Sequence, residues 1–279
     1  MKITCWGARG SIPVSGKEYE KYGGDTTCVE VRSKNNDIII IDAGTGIRKL
    51  GNRLLASGER EFSILFTHAH WDHLMGFPFF KPIYMKGTKI DFFGCPCAQR
   101  SIGDVLSKSM IAPYFPVDFG QLQAEIVSHT VCEEAFEIGP VRITPISLNH
   151  PNQGIGYKFT EDGKSFVFLT DNELSSRHPG GGEYGDYLRF AAGADVLIHD
   201  AEYTVEQYKL TKGWGHSLYT DALRLAQEAA VKQFGLFHHN QDRSDSELDH
   251  LVGDCRSIAG TGKNGIHCFA LSAGMEIDL

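Results

Sequence analysis

The chain lacks the features that define several classes of protein. No run approaches the roughly 18 apolar residues of a membrane span, and residues 1–7 have no apolar signal core. Fixed-period repeats, low-complexity tracts and a Pro/Ser-rich linker are also missing from the sequence. We therefore expect a single cytoplasmic domain over residues 1–279, with no membrane partner.

An excess of positive charge is absent too. The net charge is −8 and the isoelectric point is about 5.8. This balance argues against a protein that grips nucleic acid by bulk electrostatic attraction. A small substrate fits the charge better.

The seven cysteines show no Cys-x-x-Cys spacing. Their odd number and their scatter favour reduced thiols in a cytoplasmic protein over a disulfide framework. Cys95 and Cys97 form the one close pair and supply at most two ligands of a tetrahedral set. We expect them to serve loop structure, with a metal or redox role as the alternative.

The chain does contain a dense group of ligand-type side chains at residues 67–73, Thr-His-Ala-His-Trp-Asp-His. It directly follows the apolar run 62–66 and holds His68, His70, Asp72 and His73. A buried strand that ends in such groups is costly unless a cation satisfies them. A chance run of surface histidines is the alternative, and it is disfavoured in a chain with only 12 histidines.

Other short apolar runs also end in polar residues, and helical patterns lie between them. The runs 38–41, 141–148, 166–169, 196–198 and 234–237 end in Asp42, His150, Asp171, His199-Asp200 and His238-His239. The helical patterns cover residues 46–57, 98–110, 184–192, 218–232 and 245–259, and one has a small-residue face of Ala222, Leu225, Ala226, Ala229 and Ala230. This alternation predicts two packed sheets flanked by helices, with their polar strand ends on a common rim.

The strand ends add three ligands to the four of the cluster. His150, Asp171 and His238 bring the set to seven, which is enough for two metal ions that share one carboxylate. Such ions lie about 3.5 to 4 Å apart in two-metal hydrolases. His239 is the alternative to His238.

The order of these seven residues along the chain resembles that of the metallo-β-lactamase superfamily. The resemblance extends over nearly the whole chain. The motif His68-x-His70-x-Asp72-His73 carries the resemblance. It implies an α/β (α+β) fold, a four-layer αββα sandwich, with the metals held as follows: His68, His70 and His150 on one ion, Asp72, His73 and His238 on the other, and Asp171 bridging. Asp42 matches an aspartate that supports the site, although a turn-forming role explains it equally.

The C-terminal part resembles the phosphodiesterase branch of that superfamily, which includes tRNA 3′-processing enzymes and cyclic phosphate phosphodiesterases. In that branch a histidine motif is followed by a helix and by a strand that ends in the last ligand. Gly215-His216-Ser217, a helix and the run 234–237 follow the same order and favour His238 as that ligand. The resemblance implies that His216 protonates the leaving oxygen and that Asp200 orients His216 or a ligand. Asp72 joins these two in the expected catalytic set. A capping or surface role for His216 is the alternative.

The resemblance implies metal-dependent hydrolysis of a phosphodiester, with two zinc or manganese ions rather than iron. Only 20 residues separate His150 from Asp171, so the long basic arm with which tRNA-processing members grip tRNA is missing. We therefore expect a small substrate, such as a cyclic nucleotide or cyclic phosphate, and no nucleic acid. Arg9, in a glycine-containing loop that resembles one beside the metals in that branch, either meets the phosphate or is a turn arginine.

Two other functions remain open at this point. The same centre serves ester or lactone hydrolysis, and a non-catalytic or redox di-iron protein is the second alternative. Members of the di-iron class usually have Glu at the position of His70, which favours hydrolytic metals here. The aromatic segment 110–117, with residues 77–80, forms either a packing or lid loop or a pocket wall suited to a nucleobase or sugar ring. A homodimer is also left open.

Overall fold

The computed structural model describes residues 1–95, 101–260 and 265–279. Fourteen strands lie in these ranges, in chain order β1 Lys2–Gly7, β2 Cys28–Arg32, β3 Ile38–Ile41, β4 Glu61–Leu65, β5 Lys89–Gly94, β6 Glu125–Thr130, β7 Phe136–Ile138, β8 Val141–Ser147, β9 Ile155–Glu161, β10 Lys164–Leu169, β11 Val196–Asp200, β12 Gln233–Phe237, β13 His267–Ala270 and β14 Glu276–Asp278. They form two seven-stranded sheets, ordered β14-β1-β2-β3-β4-β5-β6 and β13-β12-β11-β10-β9-β8-β7.

Seven α-helices connect the strands within the same ranges. They are α1 Ile47–Ala56, α2 Trp71–Leu74, α3 Ile102–Ser109, α4 Tyr184–Ala191, α5 Val205–Thr211, α6 Tyr219–Glu228 and α7 Asp245–Ala259. Short 3₁₀ turns occupy Lys17–Tyr19, Phe77–Phe79, Lys81–Tyr84 and Phe119–Gln121.

Three apolar cores hold four layers together. Between the sheets, Ile39 and Ile41 of β3 share a core with Phe159, Phe166 and Phe168 of the facing sheet. Helices α1 and α3 cover the outer face of the first sheet, while α4, α6 and α7 cover the outer face of the second. The predicted αββα sandwich is confirmed.

Strand direction explains why the polar strand ends meet. Strands β3 and β4 run parallel, as do β10, β11 and β12. Because parallel strands have their carboxyl ends at the same edge, Asp42 and Thr67 lie at one edge of the first sheet. Asp171, Asp200 and His238 lie at the corresponding edge of the second.

The predicted helices differ from the observed ones mainly at their ends. Helix α6 ends at Glu228, and Ala230 has a left-handed φ of 52° and is exposed, so its expected place on the buried face was wrong. Residues 98–100 of the predicted helix 98–110 lie outside the described residues. Helix α5 was not predicted, although Thr204 and Gln207 form a capping box at its start.

The expectation of seven reduced cysteines was wrong. Cys95 and Cys132 form a disulfide, whereas Cys5, Cys28, Cys255 and Cys268 are buried free thiols. Strands β5 and β6 are parallel neighbours, so residues just beyond their ends come together although they are 37 positions apart in the chain. Cys97 lies outside the described residues. The cysteines therefore give no argument for a reducing compartment.

A search of the described residues finds no helix with the length and apolar character needed to cross a membrane.

Candidate metal centre

The side chain of Asp171 lies at the middle of the rim formed by the strand ends. Its Oδ2 atom is 3.6 Å from Nε2 of His68 and 3.4 Å from Nε2 of His73, both of which follow β4. The same oxygen is 3.8 Å from Nε2 of His150 and 3.3 Å from Nε2 of His238, which follow β8 and β12. One carboxylate thus contacts imidazoles from both sheets.

The seven residues singled out in the sequence fall into two adjoining groups. One group holds His68, His70 and His150, and the other holds Asp72, His73, Asp171 and His238. Within each group the ligand-type atoms lie within 4.8 Å of one another. The resemblance implies the same two sets of three ligands with Asp171 on both ions, and here Asp171 falls in the second group.

Two observations test whether these residues fit metal ions. First, Nε2 of His68 and Nε2 of His73 are buried and have no hydrogen-bond partner among the described residues, which is costly unless something else binds them. Second, a tetrahedral ion with bonds of about 2.1 Å separates its ligand atoms by roughly 3.4 Å. Nδ1 of His70 and Nε2 of His150 are 3.0 Å apart, and Nε2 of His238 and Oδ2 of Asp72 are 3.2 Å apart. The residues fit two small cations.

Three of the imidazoles have their other ring nitrogen fixed by a buried partner. Nδ1 of His73 is 2.8 Å from Oδ2 of Asp42, and Nδ1 of His238 is 2.8 Å from Oε2 of Glu202. Nδ1 of His150 donates to the carbonyl oxygen of Gly215 at 3.0 Å. Such partners fix the tautomer and leave Nε2 as the ligand atom, as in protein metal sites generally.

The backbone at the rim is strained at three non-glycine positions. Asp42, Asp171 and His238 follow the ends of β3, β10 and β12, and their φ values are 60°, 53° and 54°. Left-handed backbone is costly for such residues and persists where the surroundings enforce it, often at functional sites. Here it accompanies side chains that all contact the cluster or support it.

His216 lies against the cluster with a carboxylate behind it. Its Nδ1 is 2.8 Å from Oδ2 of Asp200, and a ring nitrogen is within 4.8 Å of donor atoms of His150 and Asp171. Burial alone disfavours a charged imidazole, but the carboxylates of Glu202 and Asp200 outweigh it and raise the pKa of His216 to about 9. The structure therefore places the expected acid and its expected orienter in contact.

The carboxylates and imidazoles of the cluster shift one another's pKa values. Although burial works against ionisation, the imidazoles of His238 and His73 hold the pKa of Asp171 well below its usual range. Burial lowers the pKa of His150 to about 3, so this imidazole is neutral and able to bind a metal. Five carboxylates are buried in or beside the cluster, and they require nearby positive charge: Asp42, Asp72, Asp171, Asp200 and Glu202.

The choice between adjacent histidines is clear from their contacts. His238 faces Asp72 and Asp171, whereas Nε2 of His239 donates to the carbonyl oxygen of Leu271 at 2.8 Å, away from the cluster. Arg9 is fully buried, and its guanidinium donates to the carbonyl oxygens of Gly23, Asn240 and Arg243. Arg9 therefore ties loops together and does not face a substrate phosphate.

The N-terminal loop does reach the cluster, through its backbone. The amide of Ser11 donates to Oδ2 of Asp72 at 2.9 Å. A side chain on Gly10 would begin 2.3 Å from Nδ1 of His238, so only glycine lets this loop approach.

Two acidic residues that support the site were not predicted from the sequence. Glu202 contacts His238, as described above, and lies within two positions of Asp200. Glu173 is fully buried and accepts hydrogen bonds from the amides of Gly213 and Gly215, the hydroxyl of Tyr208 and the imidazole of His178. Their position beside strand ends was the available signal, but only the fold shows which loop each one holds.

The rim of a two-sheet sandwich that carries two adjoining His/Asp groups and a carboxylate-backed histidine defines a class of protein, the metal-dependent hydrolases. Residues 38–239, more than half of the chain, match the family model described as β-lactamase superfamily domain. The chain belongs to the metallo-β-lactamase superfamily.

Similar proteins cover the chain from end to end. Ribonuclease Z of Picrophilus torridus is 24% identical, over 92% of this chain and 91% of its own length. Human tRNase Z, short form, is 19% identical and superimposes with a TM-score of 0.66 over 100% of this chain and 99% of its own. A diphosphatase from the PhnP family is 18% identical, with a TM-score of 0.69 over 100% and 97%. At such identities the structural likeness shows the fold.

We expect Gly215→Ala to weaken metal binding beside His150 by about 10- to 100-fold, the usual effect of disturbing a ligand's partner. An added Cβ would lie 2.1 Å from Nδ1 of His150, and Gly215 also has a φ of 93°. Metal titration against a competing chelator measures the affinity.

Gly213→Ala is the matched control for that substitution. Gly213 has a similar φ of 88° in the same loop, but an added Cβ meets nothing within 4 Å. It should keep normal metal affinity. Equal affinities in both variants and in the unaltered protein would contradict the positioning role of Gly215.

Proposed function

We propose that the protein hydrolyses a small phosphodiester at a two-metal centre, with His216 as the general acid. The observation that carries this proposal is the contact between the Asp200–His216 pair and the two His/Asp groups. Both an electrophilic centre and a proton donor are needed for cleaving a phosphate ester, and this rim offers both within one small site.

The proposed metal ligands are those of the two groups. His68, His70 and His150 would hold one divalent ion, Asp72, His73 and His238 the other, and Asp171 both. Bound metal ions supply a hydroxide nucleophile near neutral pH and neutralise phosphate charge. Imidazole and carboxylate ligands suit zinc and manganese alike, so we propose either metal.

The proposed proton transfer follows from the contacts of His216. Asp200 holds Nδ1, which fixes the ring and leaves Nε2 as the nitrogen that delivers a proton to the leaving oxygen. The neighbouring ring of His238 stacks on that of His216 at 4.6 Å between centroids. His216 therefore has a fixed orientation beside the place where the ester would be cleaved.

The proposed substrate is small because the chain offers little to hold a large one. Between His150 and Asp171 the structure has only β9 and β10, joined by a short turn. The net charge of −8 also disfavours a polyanion. The relatives named ribonuclease Z and tRNase Z support phosphodiester chemistry. The missing arm supports a small substrate, and a cyclic nucleotide or cyclic phosphate is the one we propose.

Parallel assays test the reaction class. Protein freed of metal and reloaded with zinc or manganese should hydrolyse bis-p-nitrophenyl phosphate and cyclic phosphates, and a chelator should abolish this turnover. Simple lactones and a tRNA precursor serve as comparison substrates. Turnover of lactones without turnover of any phosphodiester would overturn the proposal, and preferential cleavage of the tRNA precursor would overturn the small-substrate part.

We expect His216→Ala to lower the rate about 100-fold or more for a phosphodiester with a poor alkyl leaving group, because general acids contribute about 10²- to 10⁴-fold. A p-nitrophenolate leaving group needs no proton, so its release should change much less. The measurement is kcat for both substrates, with metal content determined for each preparation.

His129→Ala provides the control for loss of an imidazole. His129 is exposed, pairs with Asp91 on the first sheet and is not among the residues of the metal centre. It should leave both rates unchanged. Equal losses with both leaving groups in His216→Ala would show that His216 does not act as the acid.

A further inference from the structure

An apolar cleft of about 570 Å³ opens beside helix α2, which carries Asp72 and His73 of the metal centre. Its walls come from three segments, namely α2 with the 3₁₀ turn that follows it, the last turns of α3, and the loop after α3. The walls include four aromatic side chains: Trp71, Phe79, Tyr114 and Phe115. None of these residues has a part in the hydrolytic scheme described above.

The cleft and the metal centre involve neighbouring residues of one segment. Ala69 and Trp71 line the cleft, and they alternate with His70 and Asp72, which belong to the two His/Asp groups. Residues of one short segment thus line the cleft and belong to the metal centre, so the two sites are joined by neighbouring residues of the chain.

The aromatic residues of the cleft are arranged to receive a ring. Phe79 and Phe115 pack edge to face, with centroids 5.7 Å apart and planes at 88°, which fixes one wall. Trp71 and Tyr114 are each 78% exposed, so their faces are available for stacking. Contiguous exposed apolar surface of this kind often marks a ligand-binding groove.

The size and polarity of the cleft define the ligand further. Pockets for small molecules range from about 300 to 1,000 Å³, with mainly apolar walls and a few polar groups. Among the described residues of the lining, Lys108, near the end of α3, is the one that carries a charge. An ammonium group beside aromatic walls suits a planar ring with hydrogen-bond acceptors on its edge.

We propose that this cleft binds the nucleobase of a nucleotide phosphodiester while the phosphate lies at the metal centre. The inference rests on the proposed function and narrows it, from any small phosphodiester to one that carries a base. The base stacks on Trp71 and Tyr114, and Lys108 donates to an acceptor on its edge.

Binding measurements test the cleft independently of turnover. Calorimetric titration of the zinc-loaded protein compares adenosine 5′-monophosphate with ribose 5-phosphate, which has the same phosphate and sugar without the base. Stacking of one base contributes about 1 to 3 kcal/mol, so the nucleotide should bind at least about fivefold more tightly. Tyr114→Ala should remove much of this preference, Tyr114→Phe should keep it, and neither should alter the affinity for ribose 5-phosphate.

Ile258→Ala is the matched control, because Ile258 is a 55% exposed apolar residue near the end of α7, far from this part of the chain. It should behave like the unaltered protein. Equal affinity for the two ligands in the unaltered protein, or a base preference that survives Tyr114→Ala, would overturn the assignment of the cleft.

A turnover assay separates failure of this inference from failure of the proposed function. Adenosine 2′,3′-cyclic phosphate is compared with the 2,3-cyclic phosphate of methyl riboside, which lacks the base. We expect a higher kcat/KM for the adenosine compound. Equal kcat/KM values would overturn the base site and leave the proposed function standing, whereas hydrolysis of neither compound by metal-loaded protein would count against both.

Discussion

The rest of this structure depends on the contacts that the Asp171 carboxylate makes with the imidazoles around it. It lies within 3.3 to 3.8 Å of four imidazoles, two that follow a strand of the first sheet and two from the second. A buried carboxylate among buried imidazoles is costly unless every partner is in place. The two sheets must therefore pack in one register, and the large aromatic core between them enforces it. The fold and the site constrain each other through this one side chain.

Hydrogen-bond partners around the cluster fix the orientation of its side chains. Asp42, Glu202 and the carbonyl oxygen of Gly215 each fix one histidine from behind, and Glu173 in turn holds the loop that carries Gly215. Left-handed backbone at Asp171 and His238 aims those side chains inward. Local strain is thus balanced by a buried hydrogen-bond network, as is common where a site must be ready before its ligand arrives.

Much of this arrangement was predictable, because a short apolar run followed by polar residues shows where a strand ends. His238 directly follows an apolar run and Asp171 stands one residue beyond the end of another such run, so their meeting on one rim follows from parallel strands alone. The partners of the ligands were not predictable in the same way. Glu202 contacts His238 across 36 positions of the chain, and Cys95 meets Cys132 only because β5 and β6 are neighbours. Such pairings depend on strand order, which the pattern of single strands does not contain. For the same reason, sequence could not decide whether the segment around Tyr114 packs in a core or lines a cleft.

We propose that two metal ions share Asp171, and anomalous diffraction from crystals of the zinc-loaded protein tests this proposal. Two anomalous peaks about 3.5 to 4 Å apart are expected. One should lie among His68, His70 and His150, and the other among Asp72, His73 and His238, with Asp171 contacting both. A single peak at full zinc loading, or two peaks that do not share Asp171, would contradict it.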